Sequence, residues 1–104
     1  MPHIAIDYDK EKLRDFCRRR KVTEFSLFGS VVREDFGPDS DVDVMVQFAD
    51  DVHWTLFDMT HMKDELVEIF GREVDLLTRR AVEGSLNPIR KTSILSSAVM
   101  LDVA

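Results

Sequence analysis

The run Val42–Phe48 alternates strictly, with Asp41 and Asp43 on one side and Val42, Val44, Val46 and Phe48 on the other. Side chains alternate along a strand, so this pattern demands a strand with one face in a core. The other face then presents two carboxylates roughly 6–7 Å apart. Upstream, Val22–Phe28 reads as another strand, and it ends in Gly29-Ser30. Ten residues separate that pair from Asp41. A glycine there lets a phosphate approach the backbone, and the serine offers a hydroxyl beside the free amides of a helix start. Two carboxylates facing a Gly-Ser turn suit a hard divalent cation and the phosphates that accompany it.

The rest of the chain supplies the layers. Asp9 can cap a helix over residues 10–20, with Leu13, Phe16 and Cys17 as its inner stripe. A short helix is expected after Ser30, and Gly37-Pro38-Asp39-Ser40 is a turn cluster. Leu56, Met59, Met62, Leu66 and Phe70 recur near helical spacing over residues 54–70, with Gly71 as the stop. Residues 73–78 read as a third strand and 79–86 as a short helix. Pro88 fits the first turn of a last helix to about residue 97. Residues 99–103 read as a short strand or a contact arm. Strands alternating with helices predict an α/β (α+β) layer, a small mixed sheet with helices mainly on one face. The length of 104 residues predicts one domain over 1–104.

Asp75 alternates with Val74 and Leu76, so it faces away from the apolar side, as Asp41 and Asp43 do. If the third strand lies beside the second, three carboxylates converge on one patch. Ionised together they repel unless cations neutralise them, which fits a two-metal site. The bland alternative, a soluble sheet face, does not require a Gly-Ser turn at this spacing. A calcium loop over Asp39, Asp41 and Asp43 fails because Val44 and Asp50 occupy its glycine and glutamate positions. His3, His53 and His61 lack metal-ligand spacing, and Met45, Met59, Met62 and Trp54 read as packing.

A net charge of −6 argues against direct nucleic-acid binding, which needs a basic surface. Arg18-Arg19-Arg20-Lys21 reads as a solvated helix end, with a partner contact as the alternative. Cys17 is the only cysteine, so no internal disulfide forms, and it reads as a core residue. The N-terminus has no signal-peptide pattern, and no apolar run is long enough to span a bilayer. A cytoplasmic location is therefore expected.

Gly29-Ser30-x10-Asp41-x-Asp43 resembles the signature of the polymerase-β-like nucleotidyltransferases. The stretch from Phe28 to Val44, with Gly71-Arg72-Glu73-Val74-Asp75 and Asn87-Pro88-x-Arg90-x5-Leu95, is similar to the minimal nucleotidyltransferase (MNT) branch of HEPN/MNT toxin–antitoxin pairs. The resemblance implies that Asp41, Asp43 and Asp75 are catalytic and hold two Mg²⁺ ions. It implies that Gly29, Ser30 and Arg33 contact the nucleotide. Arg33 could equally form an ion pair, and Val32 and Glu34 depart from the usual small residues around it. The implied activity is transfer of AMP from ATP to a tyrosine hydroxyl of a HEPN ribonuclease toxin, which silences it. The alternatives are a non-catalytic antitoxin that binds nucleotide and blocks by contact, and a nucleotidyltransferase that modifies RNA. A homodimer or hetero-oligomer is open. The late apolar residues Ile94, Leu95, Val99, Met100 and Leu101 suggest a protein interface, or closure of the domain's own core.

Overall fold

The computed structural model describes residues 8–29, 37 and 40–103. Four strands, β1 (Val22–Phe28), β2 (Val42–Phe48), β3 (Val74–Thr78) and β4 (Val99–Met100), form one mixed sheet in the order β3-β2-β1-β4. β1 is antiparallel to both β2 and β4, whereas β2 and β3 are parallel. Parallel neighbours cannot be joined by a hairpin, and helix α2 (Leu56–Phe70) makes the crossover. The expected short helix after Ser30 lies outside the described residues.

The main core fills one face of the sheet. Phe25 and Leu27 of β1, Val42, Val44 and Val46 of β2, and Val74 of β3 pack there with Leu13, Phe16 and Cys17 of α1 (Lys10–Arg19) and Met62, Leu66 and Phe70 of α2. α1 begins at Asp9, whose carboxylate accepts the amides of Glu11 and Lys12 at 3.1 and 3.2 Å. A smaller cluster sits on the opposite face, where Phe28 and Met45 meet Val82 of α3 (Arg79–Glu83) and Ile94 of α4 (Pro88–Ser97). Asn87 caps α4 by accepting from Ile89 and Arg90, with Pro88 in the first turn. Met45 and Asp43 alternate with the core valines, so this second face is also the carboxylate face.

Three expectations change in detail. Leu56 was expected on the inner stripe of α2 but is 86% exposed, and Phe57 beside it is exposed too. At about 100° per residue, Leu56 lies about 120° around the axis from Met62, whereas Leu66 and Phe70 follow Met62 at four-residue steps. The helix starts two residues later than expected because Thr55 and Asp58 form a reciprocal capping box. The Thr55 amide donates to Asp58 at 2.9 Å, and the Asp58 amide donates to the Thr55 hydroxyl at 3.2 Å.

The basic run at the end of α1 is not merely solvated. Arg19 and Arg20 both donate to Glu65 of α2, and the half-buried Arg20 lies 5.7 Å from the centre of the Trp54 ring. The Trp54 indole in turn donates to the Arg20 carbonyl at 3.1 Å. These charges tie α1 to α2, a contact invisible along either helix alone. At the C-terminal end, Ile94 is buried in the smaller cluster, and Leu101 and Val103 are buried in the main core. The Leu101 amide donates to the Phe25 carbonyl at 2.8 Å. Of the late apolar group, Met100 stays exposed. Among the described residues, no helix is long and apolar enough to cross a membrane.

Candidate active site

The register of the sheet brings the acidic residues together. Parallel pairing sets Asp43 of β2 directly opposite Asp75 of β3. Antiparallel pairing sets Phe28, the last residue of β1, opposite Asp43. Gly29 follows with φ +72°, a left-handed conformation that costs other residues energy. Its Cα faces the Asp43 side chain so closely that an added Cβ would lie inside van der Waals contact of Oδ2 and 3.1 Å from Cγ. Glycine is therefore required there twice, for the turn and for the carboxylate lodged against it. Asp43 is half-buried, while Asp41, just before β2, and Asp75 are exposed.

Asp41 is held by its neighbours. The Ser40 amide donates to the Gly37 carbonyl at 3.1 Å, and the Gly37 amide donates to the Ser40 hydroxyl at 3.0 Å. On the other side, the Val42 amide donates to the Glu73 carbonyl at 2.9 Å. The Arg72 guanidinium donates to the Gly37 carbonyl at 2.7 Å and, at a longer 3.4 Å, to that of Ser40. Sequence reasoning assigned Arg72 no role. Its place just after a helix stop and three residues before Asp75 was visible, but not the carbonyls that it reaches.

Of the expected nucleotide contacts, only Gly29 falls among the described residues. Ser30 and Arg33 lie outside them, as do Val32, Glu34 and Asp39. Carboxylates are the donors that Mg²⁺ prefers, and two of them side by side in one register suit it chemically. Among the described residues, however, no three His, Cys, Asp or Glu side chains stand at ligating distance of one point. The three aspartates share a patch of sheet without forming a closed cage. His53 and His61 are exposed and join no such group. A separate cavity of about 430 Å³ opens at the far end of β2 and β3, lined by residues including Phe48, His53, Arg79 and Glu83. Its Arg79 is already paired with Glu24 at 3.2 Å and Glu83 at 2.8 Å. We therefore place the candidate chemistry on the carboxylate face rather than in this cavity.

The mixed sheet sets a glycine turn against paired strand carboxylates, and comparison with known proteins gives the class of protein that carries it. The chain belongs to the nucleotidyltransferase domain family, whose model matches residues 10–100. It is 36% identical, over 92% of its length and 97% of the relative's, to a protein of Methanocaldococcus jannaschii named "Putative protein adenylyltransferase MJ0435". A solved structure described as a "putative minimal nucleotidyltransferase" superposes with a TM-score of 0.67 at 30% identity, covering 88% of each chain. A complex of a tri-AMPylated Shewanella oneidensis HEPN toxin with an MNT antitoxin superposes with a TM-score of 0.59 at 20% identity, covering 88% of this chain and 66% of that one. The last likeness is one of fold alone.

Proposed function

We propose that this protein is an Mg²⁺-dependent adenylyltransferase that moves AMP from ATP to a tyrosine hydroxyl of a HEPN ribonuclease toxin and thereby silences it. The observation that carries the reading is the Asp43–Asp75 register beside the Gly29 cradle. The adenylyltransferase naming of the M. jannaschii relative and the AMPylated toxin in the Shewanella complex support it.

In this reading Asp41, Asp43 and Asp75 hold Mg²⁺. Bound there, the ion would supply charge to neutralise the triphosphate and favour ionisation of the acceptor hydroxyl. Gly29 lets the turn close against the Asp43 carboxylate, and its backbone, with Ser30 and Arg33, contacts the phosphate oxygens in this reading. Asp75, exposed on the edge strand, takes part in removing the proton from the acceptor hydroxyl. The tyrosine oxygen then bonds to the α-phosphorus, the bond to the bridging oxygen breaks, and pyrophosphate leaves. The surroundings of ATP and Mg²⁺ make the cytoplasm its compartment.

The test is turnover. A substoichiometric amount of this protein with ATP, Mg²⁺ and the HEPN toxin proposed as its partner is expected to raise the mass of nearly all that toxin by whole AMP units. Asp43→Asn should abolish the shift. Unmodified toxin, inhibited only at equal or higher ratios of this protein, would refute the reading in favour of blocking by contact.

A further inference from the structure

We infer that Arg72 is a positioning residue for nucleotidyl transfer: with the Glu73 carbonyl, its guanidinium fixes the backbone on both sides of Asp41 and so sets the separation of Asp41 from Asp75. The inference rests on the carboxylate reading above.

Asp41 sits between two anchored neighbours. Ahead of it, the turn that carries Ser40 is gripped through the Gly37 carbonyl by Arg72 at 2.7 Å. Behind it, Val42 is bonded to Glu73 at 2.9 Å. Both anchors come from consecutive residues at the start of β3, two and three positions before Asp75. The position of Asp41 relative to Asp75 therefore depends on two adjacent residues as well as on the β2–β3 register.

The local fold explains why an arginine stands there. α2 stops at Gly71, which has φ +69° and donates its amide to the Val67 carbonyl at 2.8 Å. The chain reverses, and the next side chain, half-buried, lies against the turn that enters β2. One terminal nitrogen of the guanidinium, Nη1, carries the N–H groups that face both carbonyls, on a planar group that stays charged at every working pH. That nitrogen lies 2.7 Å from the Gly37 carbonyl and 3.4 Å from that of Ser40, so it leans on Gly37 and reaches Ser40. Arg72 makes no proton transfer in this account. It acts through the placement of Asp41.

The experiment uses the full chain with Arg72→Ala and Arg72→Lys, and Asp41→Asn as a control. Backbone amide exchange is followed at Ser40 and Val42, together with kcat and the KM for ATP. In Arg72→Ala the Ser40 amide should exchange about tenfold faster while the β1 amides keep their rates, because only the turn loosens. A misplaced carboxylate should lower kcat by about tenfold to a hundredfold with a much smaller change in KM. Arg72→Lys should recover part of both. If Asp41→Asn is inactive while the arginine variants keep wild-type Ser40 exchange and kcat, the positioning role is overturned and the carboxylate reading survives. If Asp41→Asn transfers at the wild-type rate, the carboxylate reading falls and this inference with it. Should Arg72→Ala not fold, Arg72→Lys decides by the same two readouts.

Discussion

Gly29→Ala separates two penalties that the structure superimposes at one position. The backbone there has φ +72°, where an alanine costs about 1–2 kcal/mol. The new methyl would also overlap the Asp43 carboxylate, whose Cγ and Cβ lie 3.1 and 3.5 Å from the ideal Cβ position. Pushing that side chain off its rotamer adds about 0.5–1.5 kcal/mol. The total is about 1.5–3.5 kcal/mol. For a chain of this size that lowers the melting temperature by about 4–8 °C per kcal/mol.

Gly71→Ala supplies the reference for the first penalty, since Gly71 has φ +69° and open space around its ideal Cβ. It should lose only about 1–2 kcal/mol. The second penalty is isolated by making Gly29→Ala in an Asp43→Ala background, where the overlap no longer exists. Its cost there should fall by about 1 kcal/mol to that of Gly71→Ala, a coupling readable by urea denaturation of the four-member cycle. Nucleotide transfer by Gly29→Ala should drop about a hundredfold, because the displaced group is a proposed metal ligand. An equal cost of Gly29→Ala with and without Asp43, or a fully active Gly29→Ala, would refute the reasoning.

Two further outcomes are expected. Burial alone would raise the Glu65 carboxyl, but its hydrogen bonds and charge contacts with Arg19 and Arg20 outweigh that and hold it below its ordinary value of 4.5. A carboxyl lowered on folding stabilises above its unfolded value, and that contribution disappears as pH falls through the folded value. Glu65→Gln should therefore cost about 1 kcal/mol at pH 7. The gap from the parent should close below about pH 4.5, as followed by thermal melts, and a gap independent of pH would contradict the ion-pair account. Burial pushes the Cys17 thiol up to about 11, so iodoacetamide at pH 8 should label the folded chain at least about a hundredfold more slowly than the urea-unfolded chain. Equal rates would contradict its burial.

The elements most legible in the sequence were those whose periodicity is enforced by a core. β1 and β2 run over the spans read from the sequence, and for β2 the alternation is binding because a one-residue slip would turn every valine to the carboxylate face. The termini of α4 were legible through Asn87 and Pro88, since the cap is a local device. The exposure of Leu56 was not, because spacing close to helical does not identify which stripe meets the sheet until the neighbouring layer is placed. The clasp of Arg19 and Arg20 on Glu65 was hidden for a related reason, since its partners are 45 and 46 residues apart. At the site, the alternation of Asp43 and Asp75 could be read, but their direct opposition depends on the β2–β3 register, which residue patterns leave open. The role of Arg72 depends on carbonyl positions, which side-chain patterns do not encode.

The parallel pairing of β2 and β3 also has a consequence in time. Asp43 and Asp75 are 32 residues apart, and the whole of α2 lies in the chain between their strands. A chain emerging from the ribosome presents Gly29, Asp41 and Asp43 early, yet it has no opposed carboxylates until β3 is complete. The β1–β2 hairpin can form first, so a partial product offers the glycine turn and two acids without the third. The proposed site is therefore complete only once β3 has been made and paired with β2.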